Sequence, residues 1–171
     1  VVWALKTRPR WTAEGLLAIP PLLLTGLLLM FTSWAAANPT LTVRDFESQD
    51  IYFAIDLHDP PDWHLAWNHS VTGIRVRDYF TVKENQIMLT HSHMPAFDAG
   101  LGHIPGRGRL ESDGNGGYWV YDINSPIPQP GLLIRVGSER VNHTLVQGNK
   151  AWNLSEVAAG RRVVIGVKET P

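Results

Sequence analysis

Cysteine is absent from the 171-residue chain, which removes disulfides, thiolate-ligated zinc, iron–sulfur clusters and thiol catalysis from the possible chemistry in one step. Charge of one sign is lacking too: 15 Lys and Arg stand against 16 Asp and Glu, for a formal net charge of −1. Without a basic field to neutralise phosphates, nucleic-acid binding is disfavoured. No Gly-x-Ser-x-Gly elbow occurs, and beyond Asn38 no stretch offers a long, capped pattern of helical period. What is present is one oily segment, a series of short alternating stretches, and seven histidines.

The oily segment comes first. Lys6, Arg8 and Arg10 precede an uncharged, leucine-rich run from Gly15 to Ala37. As a helix rising ~1.5 Å per residue this run measures about 35 Å, enough to cross a hydrocarbon layer of roughly 30 Å. Pro20 and Pro21 would kink it near one end. Three basic residues against the single acid Glu14 leave the N-terminus in the cytoplasm, because lysine and arginine resist translocation. Trp11 and Trp34 bracket the run at the two headgroup levels, with Leu22 and Leu28 in the hydrocarbon between them. The expected organisation is a cytoplasmic segment 1–14, a transmembrane helix 15–37 and an extracytoplasmic domain 38–171. A cleavable signal peptide is the alternative, since Ala35-Ala36-Ala37 supplies a small-residue cleavage pattern. Either way the domain is exported across a cytoplasmic membrane.

Period-2 alternation dominates the domain, most clearly from Ile74 to Val82, where even positions are mostly apolar and odd ones polar. Asp78 interrupts the apolar set. It marks either a strand irregularity or a buried carboxylate in need of a partner. Further strands are predicted over Leu41–Phe46, Ile51–Leu57, His64–Trp67, Gln86–His91, Tyr118–Ile123, Leu132–Val136, Val141–Val146 and Val163–Val167, separated by Gly, Pro, Asn and Asp clusters. Short strands at close spacing predict an all-β fold, a single β-sandwich or partly open barrel. The connection from Met94 to Gly108 is long and rich in glycine and proline, and Asn124 to Gly131 should run extended over the surface.

Among polar residues, His91 and His93 would project from one strand face at a spacing that can chelate a metal, with His69, His103 or Asp98 as a third ligand. The simpler alternative is an exposed pair on a strand end. Ser70 directly follows His69, and neighbours on a strand point to opposite faces, so the two do not form a nucleophile and base. The carboxylates Asp56, Asp59, Asp62, Asp78 and Asp98 read as turn and strand-face residues rather than paired acids. Trp63, Trp67, Trp119 and Trp152 read as core or rim rather than as a ligand-stacking platform. No residue is assigned a catalytic role, and a non-enzyme is expected.

Three stretches resemble a small bacterial family known only as domain of unknown function 1850. Trp67-Asn68-His69-Ser70-Val71-Thr72-Gly73, followed by Val76, Asp78 and Phe80, is similar to its aromatic-x-His-Ser-Val-Thr-Gly run and the strand after it. Phe97-Asp98-Ala99-Gly100-Leu101 resembles its Gly-Ala-Gly-Leu run. Leu133-Ile134-Arg135-Val136-Gly137 with Asn142-His143-x-Leu145 resembles a closing strand pair, and Gly160-Arg161-Arg162-Val163 a terminal strand. The THSH stretch and Asp98 depart from the pattern. Members are small extracytoplasmic proteins commonly encoded beside TAXI-type TRAP transporters. The resemblance therefore implies an accessory or assembly subunit of a membrane transporter, partnered by transporter subunits or a substrate-binding protein, with His69, Ser70, Asp78, Gly100, Asn142 and His143 as candidate contact residues. On this reading a histidine beside Asp78 would donate one ring proton to the carboxylate; alternatively, His69 and His143 cross-link strands through backbone carbonyls.

Overall fold

A computed structural model describes residues 38–96 and 108–168, and all twelve strands there fall into two antiparallel sheets. The strands are β1 (Thr40–Asp45), β2 (Ile51–Asp56), β3 (Asp62–Asn68), β4 (Arg75–Lys83), β5 (Gln86–Met94), β6 (Arg109–Ser112), β7 (Tyr118–Tyr121), β8 (Ser125–Pro126), β9 (Leu132–Arg135), β10 (Thr144–Gln147), β11 (Lys150–Asn153) and β12 (Arg162–Val167). The small sheet runs β2-β1-β12-β9; the large one runs β11-β10-β3-β4-β5-β7-β6, with β8 pairing β5. The only helix among the described residues, α1 (Leu154–Ala158), is capped by Asn153, whose side chain accepts from the Ser155 and Glu156 backbone N–H groups. No described helix is long and apolar enough to cross a membrane. The predicted anchor at 15–37, with Trp11, Leu22, Leu28 and Trp34, lies outside the described residues.

Alternation explains how the sheets meet. Leu41, Val43, Val163 and Ile165 of the small sheet share one core with Trp63, Leu65, Phe80, Ile87 and Leu145 of the large one, as expected of a sandwich-like fold whose inner faces interdigitate. Trp63 stacks on its cross-strand neighbour Phe80 at 4.4 Å between centroids. Two turns set the register. Glu84 and Asn85 both take positive φ, 50° and 60°, in the two-residue β4–β5 turn, and Gly148 opens the β10–β11 turn at φ 56°.

Asp78 meets both alternatives in part, being partly buried and next to a strand irregularity. It lies on the inner face, paired in register with Leu65 and Ser92, and the register of β4 against β5 shifts immediately after it, between Tyr79 and Phe80. Ser92 Oγ donates to Asp78 Oδ1 at 2.5 Å. Burial pushes the Asp78 carboxyl above the usual carboxylate range, and the Ser92 hydrogen bond opposes that shift. The histidine partner considered for Asp78 is not found among the described residues. His69 and His143 project elsewhere, because Asp78 faces the core.

Candidate functional site

The outward face of the large sheet brings histidine, tyrosine, tryptophan and arginine side chains together. Antiparallel sandwiches usually turn simple polar side chains outward, whereas this face carries rings. Cross-strand register lines up His64 with Tyr79 and Tyr79 with His91. His91 then contacts Tyr121, which pairs with Arg109. The next row is Ala66, Arg77, His93, Trp119 and Glu111. Ring centroids are separated by 5.0 Å for His64–Tyr79, 4.3 Å for Tyr79–His91, 4.3 Å for His93–Trp119 and 5.6 Å for Trp119–Tyr121. The first three spacings follow from strand separation, since upright rings on adjacent strands stand face to face, and the last from the i, i+2 spacing within β7. The extra residue in β5 at the bulge brings His91 opposite Tyr79 and leaves the Thr90 hydroxyl donating to the Tyr79 carbonyl at 3.0 Å.

Burial disfavours the charged form of His64 and His91. Burial, and then the Arg77 and Arg75 guanidinium groups, lower the His64 pKa; burial lowers that of His91, opposed by Asp62. His93 lies between Arg77 Nη1, at 3.4 Å from its Nδ1, and Asp113 Oδ2, at 3.0 Å from its Nε2. Asp113 is itself fixed by the Asn115 and Gly117 backbone N–H groups, which hold its carboxyl below the usual range together with His93. With Nε2–H donating to Asp113 and Nδ1 accepting from Arg77, both His93 nitrogens are engaged.

His91 and His93 share a face as expected, yet no group of three or more His, Asp or Glu side chains converges as a metal site among the described residues. Of the third-ligand candidates, Asp98 and His103 lie outside the described residues, and His69 sits in the β3–β4 turn. A groove of about 550 Å³ opens beside His64, Tyr79 and His91, bordered by Lys83, Val146 and Gly148. Trp63 also lines it, with a buried Nε1–H that has no partner among the described residues.

Four of the residues singled out by the family resemblance do come together, at one end of the sandwich. The β3–β4 turn holds His69 and Ser70, and the β9–β10 loop holds Asn142 and His143. They are joined by Asn68 N–H donating to Val141 O at 2.7 Å, Asn68 Nδ2 to Arg140 O at 3.0 Å and Arg75 Nη1 to Asn142 O at 3.0 Å. His69 caps its own turn, Nδ1 accepting from the Thr72 N–H at 3.3 Å. Ser70 and Val71 are presented to solvent, Val71 at 77% exposure. His143 does cross-link the fold, but as an acceptor: Gly137 N–H donates to its Nδ1 at 3.0 Å, so the expected bond to a carbonyl is replaced by one to an amide. Burial, then Arg75, lowers the His143 pKa. Asp78 is absent from this end, and Gly100 lies outside the described residues.

Arg77, Tyr79, Asp113 and Tyr121 escaped the sequence reading, and Trp119, expected as core or rim, stands on the ring-lined face. Their signal was present as i, i+2 pairs, Arg77-x-Tyr79, His91-x-His93 and Trp119-x-Tyr121, all outward once the strands are placed.

The family model described as Domain of unknown function (DUF1850) matches residues 64–154, more than half of the chain. The chain belongs to this family. No curated protein and no solved structure matches it. The matched stretch runs from within β3 to the start of α1, so it takes in the ring-bearing face and the joined loops while leaving out β1, β2 and β12.

Proposed function

We propose that the chain is a membrane-anchored, extracytoplasmic accessory or assembly subunit of a membrane transporter, acting by protein–protein contact through the large sheet. The observation supporting this is the ring-lined outward face, continuous with the loop end that carries the family motifs. Rings held upright by their neighbours on a rigid sheet lose little freedom on docking, and aromatic and arginine side chains supply most of the energy in protein interfaces. A single N-terminal anchor would hold this face close to transporter subunits or a substrate-binding protein at the bilayer, so that a modest interface suffices. On this reading the N-terminal basic residues stay in the cytoplasm and the domain lies beyond the membrane.

A photo-crosslinking residue at position 119, compared with one at position 133 on the small sheet, tests the reading. Gentle detergent extraction should recover a transporter subunit or binding protein joined to the first and not to the second. Recovery of neither from either variant would refute the docking role. A C-terminal tag reachable only from the cytosol would refute the topology.

A second reading, a small-ligand or metal module built on His91 and His93, draws on their shared face and the groove beside His91. Stoichiometric metal in the purified protein, lost on replacing both with alanine, is its expected signature.

A further inference from the structure

The outward face of the small sheet has a groove of about 590 Å³ that neither the ring ladder nor the joined loops use. It runs along β1, whose alternate residues Thr40, Thr42 and Arg44 line it; at ~3.3 Å per residue it spans about 13 Å between the first and last of these. Its floor is small. Thr42 pairs with Ala54 on one side and Gly166 on the other, and the Thr42 hydroxyl is spent on the Gly166 carbonyl at 3.2 Å. Ile51, paired with Arg44, forms one wall and the Gln129–Pro130 strap the other. The strap crosses β12 with no clearance: a Cβ on Gly166 would stand 2.6 Å from the Pro130 carbonyl oxygen, and one on Gly131 would strike the Ile165 carbonyl. The groove is therefore built by two glycine contacts rather than left by loose packing.

Its two cations stand at opposite ends, Arg44 at one and Lys168 beside Thr40 at the other. No lining residue is acidic. Asp56, at the Thr40 end, accepts the Thr40 hydroxyl at 2.7 Å. Arg44 makes no hydrogen bond or ion pair among the described residues, and its Nε is shut off from solvent without an acceptor. The contrast with Arg161 and Arg162 of the same sheet region is direct, since these pair with Asp45 and Glu47 at 2.9 Å each. A guanidinium stays charged at any ordinary pH, and its fork of donors matches the oxygens of a carboxylate or phosphate.

We infer that this groove binds a small molecule carrying an oxyanion, a carboxylate or phosphate, with that group on Arg44 and the body of the molecule lying over Thr42 and Ala54. The site stands apart from the docking face and does not depend on it.

The test is a titration of the full chain in zwitterionic detergent with glutarate and, separately, with inorganic phosphate, following the Arg44 Nε–H resonance. Saturable shifts at Arg44 are expected from at least one probe. Binding should weaken about tenfold or more in Arg44→Gln and in Ala54→Phe, which fills the floor without touching the charge, and stay unchanged in Arg109→Gln on the other sheet. Thermal melts confirm that each variant is folded. No saturable shift up to about 10 mM of either anion, or equal shifts at Arg109 and Arg135 as from a diffuse counterion, overturns the inference. A shift seen only when phosphatidylglycerol is added to the micelles identifies the occupant as a lipid headgroup and overturns the small-molecule assignment.

Discussion

Replacing Ser92 with alanine should weaken the fold in a way that depends on pH, and the structure gives both sign and size. Ser92 Oγ is the hydrogen-bond donor to Asp78, 2.5 Å away on the inner face of the large sheet. When the carboxyl is ionised, losing a hydrogen bond to a charged group costs about 1.5–3 kcal/mol; when it is protonated, about 0.5–1.5 kcal/mol. Burial raises the Asp78 pKa in the folded chain above its ordinary 3.8. The folded state therefore keeps this proton to higher pH than the unfolded state does. Its stability contribution is most favourable below the unfolded pKa, and it declines as pH rises through the window between the two values. Asp78→Asn removes that decline, so this variant must gain on the native chain as pH is raised from about 4 to 7, while Ser92→Ala must lose. Urea unfolding followed by tryptophan fluorescence across this range measures both. An identical cost for Ser92→Ala at both ends of the range, or an Asp78→Asn difference that is flat or opposite in slope, refutes the assignment of a partly buried, serine-held carboxylate.

Further outcomes follow from the same packing and charge arguments. Leu145→Ala, at a fully buried position where β10 meets the shared core, should cost about 3–5 kcal/mol, read as a lower denaturation midpoint at unchanged slope. Asp45 accepts from Arg161, Tyr52 and the Glu47 and Ser48 backbone N–H groups. Hydrogen bonds from the Ser48 backbone, Arg161 and the Glu47 backbone hold its carboxyl far below the usual range. It therefore contributes stability above its unfolded pKa of 3.8 that is lost as pH falls further, and Asp45→Asn should flatten the acid limb of the unfolding curve. Gly131→Ala combines a φ of 133° with the contact to Ile165; it should displace the strap, costing about 1–3 kcal/mol and widening the groove over β1, visible as altered exchange at Gly166.

Much of the fold could be read directly because alternation is a property of local sequence. Eight of the nine predicted strands coincide with an observed strand for most of their length, the ninth, Val141–Val146, meeting β10 only from Thr144, and Asp78 announced itself by breaking a pattern that otherwise told inside from outside. The misses have identifiable causes. β6 is four exposed residues with no apolar face to give it a period, and β8 is a two-residue bridge. β11 could have been found, since Gly148-Asn149 between alternating stretches is a two-residue hairpin signal. The strap at 128–131 was expected as an extended surface run; that it presses on β12 follows only from the tertiary approach of Gly131 to Gly166.

The candidate site was less legible because it consists of cross-strand neighbours. Pairing of His93 with Asp113, or of His91 with Tyr79, depends on a bulge and on the β5–β7 register, and neither is written in any short window. The family motifs were the opposite case. They marked two loops distant in the chain, and the hydrogen bonds from Asn68 and Arg75 join them at one end.

The two sheets thus divide the molecule unevenly. The family match covers the large sheet from within β3, together with β9 and the strap at 128–131, whereas β1, β2 and β12, which carry Arg44 and most of its groove, lie outside it. If docking through the ring-lined face is what members of the family share, substitutions at Trp119 should abolish partner recovery while leaving the core intact. Trp119 makes four ring contacts, to Tyr79, His91, His93 and Tyr121, each worth about 0.2–1 kcal/mol by cross-strand analogy, so Trp119→Ala should cost about 1–3 kcal/mol and leave a folded sheet. A photo-crosslinking residue placed instead at position 79 should capture a transporter subunit in the native background and not in Trp119→Ala, while anion binding at Arg44 should persist. Loss of both together, with the chain still folded, would mean that the faces act as one site and that this division is wrong.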